Sequence, residues 1–98
     1  MLFYENPNGK LYHGDCLEIM KDIPDSSVDM VLCDLPYGMT ECDWDVVIPF
    51  EPLWEQYNRI CKTNAPILLF GAQLFAVDTI ISNRRYFRYK IIWVKENP

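Results

Sequence analysis

Residues 28–38 read V-D-M-V-L-C-D-L-P-Y-G, and these positions decide the fold. Met30 to Cys33 is an uninterrupted apolar run, the pattern of a strand buried on both faces of a parallel sheet. The run stops at Asp34, and Leu35-Pro36-Tyr37-Gly38 turns the chain out of the sheet. Pro36 has no N–H for a ladder and fixes its own φ, and it biases Leu35 toward an extended backbone. Gly38 frees the exit. A carboxylate and an aromatic ring are thereby held at the carboxyl end of a buried strand, where open α/β sheets bind ligands. Asp, Pro and Gly are also ordinary turn residues, so a plain polar turn fits the same letters.

Before this strand, Asn6-Pro7-Asn8-Gly9 reads as a turn, and Lys10 to His13 as a short strand ending at Gly14-Asp15. A helix follows from Asp15 to about Asp22, with Leu17 and Met20 inward. Asp15 with Glu18 three residues later has the form of a capping box. After the strand, Met39 to Pro49 is an irregular loop carrying Glu41, Asp43 and Asp45 around Trp44. It reads either as a lid over the strand end or as an acidic surface loop with Trp44 tucked against the body.

Pro52 to Lys62 is the clearest helix, with Pro52 in its first turn and an apolar stripe of Leu53, Tyr57, Ile60 and Cys61. Asn64-Ala65-Pro66 ends it, and Ile67 to Phe70 reads as a second buried strand stopping at Gly71. Leu74 to Ile81 reads as a helix with Leu74, Val77, Ile80 and Ile81 in the core. Tyr86 to Val94 then reads as a third long strand. Strand and helix alternate, which predicts an α/β fold: a mostly parallel sheet flanked by helices in a single domain over residues 1–98.

The composition fits a folded domain: half of the 98 residues are hydrophobic and 23% are charged. No apolar run approaches a membrane span and the N-terminus lacks a signal-peptide pattern, so the expectation is a soluble, cytoplasmic protein without a membrane partner. Cys16, Cys33, Cys42 and Cys61 form no C-x-x-C pair and His13 is the sole histidine, so no metal site is expected. Net charge is −5, yet unevenly spread. Residues 1–57 hold twelve acids and two bases, whereas residues 58–98 hold two acids and seven bases. In the basic part, Arg84, Arg85, Arg88 and Lys90 interleave with Tyr86, Phe87 and Tyr89. That mixture suits contact with phosphates and bases, and a solvated strand lead-in has the same look.

The order of residues at the strand end adds a resemblance. Asp34-Leu35-Pro36-Tyr37 resembles motif IV, usually D-P-P-Y, of the amino-methyltransferases that methylate exocyclic nitrogens of DNA bases. L-W-E-Q-Y-N-R-I followed by A-P-I-L-L-F-G looks like motifs V and VI of that family, and I-I-W-V-K-E-N-P like its next strand and loop. The resemblance implies a partial Rossmann-like methyltransferase fold, S-adenosylmethionine as cofactor and DNA as partner. By it, Asp34 and the Leu35 carbonyl accept from the target amino group, Pro36 holds the turn, and Tyr37 stacks on a base extruded from the duplex. Adenine N6 is preferred as the target because Asp opens the motif; cytosine N4, RNA and protein amides are further substrates of this tetrapeptide type. Asp15, with Cys16 beside it in G-D-C-L-E, matches the acidic position that contacts the cofactor's adenine. Arg84, Arg85 and Arg88 are the candidate DNA contacts.

Two departures stand out. Leu35 replaces the first proline, so the turn loses one fixed φ. The glycine-rich F-x-G-x-G-like loop is absent, since Gly9, Gly14, Gly38 and Gly71 form no G-x-G pair. In the subgroup where motif IV comes first, that loop and the target-recognition region come later in the chain. The sequence thus looks like the N-terminal, catalytic half of a methyltransferase, with exposed sheet edges that favour homo-oligomers. A non-catalytic α/β module that self-associates or serves as a subunit is the other reading.

Overall fold

The computed structural model describes residues 1–96. Four strands and three α-helices follow in the order β1 Leu2–Asn6, β2 Gly9–Tyr12, α1 Cys16–Met20, β3 Val31–Cys33, α2 Phe50–Ile60, β4 Ile67–Leu69 and α3 Gln73–Ser82. A 3-10 turn at Arg84–Tyr86 comes last. The fold is α/β, but its sheets are two pairs rather than one mostly parallel sheet. β1 and β2 form an antiparallel hairpin, whereas β3 and β4 run parallel. The predicted strand at Lys10–His13 therefore joins its sequence neighbour through the Pro7-Asn8 turn, which closes an antiparallel pair far more simply than a crossover would.

The β3–α2–β4 unit carries the structure. Val31, Leu32 and Cys33 stand opposite Ile67, Leu68 and Leu69. The ladder is continued on both sides, because Val31 N–H donates to Pro66 O at 3.0 Å and Phe70 N–H donates to Cys33 O at 3.1 Å. Further back, Val28 N–H donates to Ile60 O at 2.8 Å and Lys62 N–H donates to Val28 O at 2.9 Å. The end of α2 is thus stitched to the lead-in of β3. The core consists of Met20, Leu35, Leu53, Tyr57, Ile60 and Phe75. Leu53, Tyr57 and Ile60 are the expected stripe of α2, and Leu53 is fully buried.

Three expectations are corrected. β3 is not buried on both faces: Leu32 is 62% exposed, because a two-stranded parallel sheet has one covered face here and the period of two sends Leu32 to the other. α3 buries Phe75, while Leu74, Val77 and Ile81 are exposed. That helix is apolar around most of its circumference, so periodicity alone singles out no stripe, and the aromatic partners of Phe75 decide which face turns inward. Residues 86–94 do not form a strand. Ile91, Ile92, Trp93 and Val94 are between 71% and 81% exposed and lie outside any ladder. β-favouring residues need a paired neighbour to become a strand; the Trp93 ring lies 6.2 Å from that of Phe70, centroid to centroid, with no ladder beside it among the described residues. Asn97 and Pro98, the end of the K-E-N-P stretch, lie outside the described residues.

α1 is only five residues long and cannot persist alone. It is held at both ends. Asp15 caps it by accepting from Leu17 N–H at 2.9 Å. Glu18 does not complete the expected capping box, since its carboxylate turns forward to Lys21 Nζ at 3.1 Å. At the other end Arg59 of α2 donates to Met20 O at 2.6 Å and Ile23 O at 2.8 Å, supplying the cation that the last turn of α1 lacks. Among the described residues, no helix is long and apolar enough to cross a membrane.

Candidate active site

Asp34 follows the last residue of β3 and is exposed, while Leu35 is buried at 5% exposure. The chain leaves the sheet as the sequence requires. Pro36 and Tyr37 are half-buried, and Gly38 takes φ +72°. A Cβ at Gly38 would stand 2.8 Å from Val47 Cγ2, so a side chain is excluded by space as well as by conformation. The Leu35 side chain joins the core, so packing holds this turn where a proline at that position would fix φ.

The tetrapeptide opens onto a cleft of about 370 Å³, whose walls include Asp34, Leu35, Tyr37, Trp44 and Asp45. A second, smaller hollow of about 220 Å³ adjoins it, with Tyr37 and Met39 common to both and Phe75 and Asp78 on the far side. Tyr37 is set by its neighbour: its ring stacks on Phe75, centroids 4.7 Å apart and planes 21° from parallel. Phe50 stacks on the same Phe75 at 5.9 Å. Such pairs add about 0.5–1.5 kcal/mol beyond burial, so the Tyr37 ring is held by an aromatic file running into the core. Burial, and then the Asp34 carboxylate close by, push the Tyr37 phenol above its ordinary pKa.

The loop beyond Gly38 is organised by Asp45, the one buried acid among the described residues. Its Oδ1 accepts from Gly38 N–H at 2.8 Å, and its Oδ2 from Met39 N–H at 3.1 Å, Thr40 N–H at 2.8 Å and the Thr40 hydroxyl at 2.6 Å. The Thr40 hydroxyl foremost, and the Gly38 N–H after it, hold this carboxyl below the usual carboxylate pKa. Asp45 N–H donates back to Cys42 O at 3.0 Å, closing the loop on itself. Trp44 is not tucked against the body, contrary to one reading of the sequence. It is 74% exposed, because the tie at Asp45 carries its neighbour outward to the rim of the cleft.

Asp15 and Cys16 stand at the start of α1. Cys16 is half-buried, and burial first, then the charges of Asp15 and Cys33, push its thiol up. Cys16 and Cys33 both pack against the core cluster, so the start of α1 and the end of β3 rest on the same core. Tyr57 lies beneath: its phenol is pushed up by burial and then by Cys33, with Cys16 and Cys61 also near. The cap occupies Asp15 Oδ1, and among the described residues no bond engages Oδ2, so the exposed carboxylate keeps one oxygen for an external donor. Arg84 and Arg85 lie in the 3-10 turn and Arg88 in the segment after it, all three exposed. Arg85 sits over the Tyr86 ring at 5.7 Å. None of these arginines is among the residues lining the cleft.

The structure thus brings Asp34, Leu35, Pro36 and Tyr37 together with Trp44 and Asp45, which the sequence placed in a loop read as a lid or as an acidic surface, without an individual role. Phe75 was also overlooked. Its signal is an aromatic two residues into a helix that follows a buried strand, which is too common to single out. Asp45 had a better one, an acid seven residues past a turn glycine with Thr40 between them.

No family model matches this sequence, and no solved structure matches it. Over 31 residues it is 52% identical to the Type II methyltransferase M.BamHI of Bacillus amyloliquefaciens. That match covers 32% of this chain and 7% of the length of that protein. The similarity links a third of the chain to a short part of a methyltransferase.

Proposed function

We propose that the cleft at the end of β3 is a target-base pocket for methyl transfer from S-adenosylmethionine to the exocyclic amino nitrogen of a DNA base, with adenine N6 as the preferred acceptor. The observation that carries this reading is the shared cleft: an exposed carboxylate, the carbonyl after it and a half-buried aromatic ring meet at the carboxyl end of a parallel strand. The short match to a methyltransferase supports it independently.

The chemistry needs little from the protein except alignment. An amino group on a heterocycle is a weak nucleophile because its lone pair is delocalised into the ring. Two acceptors aimed at its protons draw the nitrogen toward tetrahedral geometry and stabilise the positive charge that develops on it. Asp34 supplies a full negative charge and Leu35 a fixed carbonyl dipole. Tyr37 offers a ring against which an extruded base lies flat, and Phe75 keeps that ring from turning away. S-adenosylmethionine supplies the electrophilic methyl group when bound. Asp15, with a spare carboxylate oxygen at the start of α1, is the residue to receive an amino donor of that cofactor. In the methyltransferase family, a glycine-rich loop holds the methionine half; the four glycines here form no such loop. DNA phosphates fall to Arg84, Arg85 and Arg88, the exposed cations of the basic segment. The finer fold consistent with this is part of a Rossmann-like methyltransferase domain.

The test is transfer of tritiated methyl groups to unmethylated duplex DNA by this chain and by Asp34→Ala. The expected result is incorporation that falls at least about 100-fold in the variant. Incorporation that survives the substitution would refute the assignment of Asp34.

A further inference from the structure

Trp44 is a large apolar side chain with most of its surface in water, an arrangement that normally resolves by burial against the body. Here the ring stays outside while the backbone on its C-terminal side is held. Asp45 next to it is tied by four bonds to Gly38, Met39 and Thr40, and its own N–H is tied back to Cys42. The ring is therefore presented by a closed loop at the rim of the cleft that holds Asp34 and Tyr37. Tyr37 has already given one face to Phe75.

From this arrangement we infer that Trp44 is a second base-stacking residue, an aromatic wall supplied by the loop, which covers a nucleobase held at Asp34 and Tyr37. The inference rests on the proposed function and adds to it a residue that selects for a planar heterocycle. An indole on a held backbone has only its side-chain torsions to fix when it stacks, which is why such a ring is useful on a rigid loop. Acidic neighbours Glu41 and Asp43 on the same loop disfavour phosphate there, so the ligand portion that meets Trp44 is the base rather than the backbone.

The probe is a short fluorescently labelled single strand containing one adenine, compared by anisotropy with the same strand carrying an abasic site at that position. The expected result is a preference of the unaltered chain for the base-bearing strand. Trp44→Ala should lower that preference about ten-fold, while Trp44→Phe keeps most of it. Because Trp44 is exposed, far-ultraviolet circular dichroism of both variants should match that of the parent. A preference unchanged in Trp44→Ala overturns the role of Trp44 and leaves the base pocket standing. No preference in the unaltered chain overturns the pocket itself.

Discussion

Replacing Arg59 with Met tests how the short helix that carries Asp15 is held in place. Met keeps the apolar stem and removes the charged fork. The lost contacts are unequal. Two are to the backbone, Met20 O at 2.6 Å and Ile23 O at 2.8 Å, and hydrogen bonds to a charged donor contribute about 1.5–3 kcal/mol each. One is an ion pair at 2.7 Å to Asp25, whose side chain is 76% exposed, and such pairs contribute about 0–1 kcal/mol. The last is a contact with Gln56 one turn back in α2, worth about 0.2–0.5 kcal/mol. The Arg59 side chain is itself 29% exposed and water can reach the freed carbonyls, so the backbone pair belongs at the low end of its range. The expected loss is about 3–4.5 kcal/mol, read as a shift of the urea midpoint at constant slope. Asp25→Asn, which removes only the ion pair, should cost less than about 1 kcal/mol. If Arg59→Met costs no more than Asp25→Asn, the fork does not anchor α1 and the reasoning fails.

Other perturbations have equally definite outcomes. Asp45→Asn exchanges an oxygen that accepts several bonds for an NH₂ that cannot accept, and should destabilise the fold at neutral pH. Because the folded carboxyl titrates below its ordinary 3.8, the Asp45 contribution is present above that pH and fades as pH falls toward the folded value. The stability gap between parent and variant should therefore narrow below about pH 4, and a gap constant from about pH 6 to about pH 3 would contradict this. Gly38→Ala meets both a positive φ and Val47, and should cost about 1–2 kcal/mol in the same urea assay; a neutral result would mean the turn relaxes freely. The exposed run Ile91 to Val94, together with Leu32 on the open face of β3, should promote self-association. Sedimentation at tens of micromolar should detect dimers or larger species, and a strictly monomeric profile would argue against it.

What could be read from the letters alone was local. The α2 stripe, the Asp15 cap and the exit through Pro36 and Gly38 each depend on residues within a few positions of one another, and each is found. The loop 38–45 is equally local but was missed as an organised unit, because an Asp among other acids looks like surface charge until its four donors are seen. Phe75 rather than Leu74 faces inward because Tyr37 and Phe50, distant in sequence, offer it a stack. Arg59 reaches carbonyls 36 and 39 residues away, a pairing that periodicity cannot report. Residues 86–94 mislead in the opposite sense: their β preference is real, and a ladder partner is what they lack.

The self-closed loop has an evolutionary corollary. Its bonds run from Asp45 to the backbone of positions 38–40 and to one threonine, so the side chains of Glu41, Cys42 and Asp43 are not used to hold its shape. Those three sites can drift, or be randomised in a library, without disturbing the neighbouring acid and ring. Selectivity could thus be retuned at the cleft's border while the reacting groups keep their places.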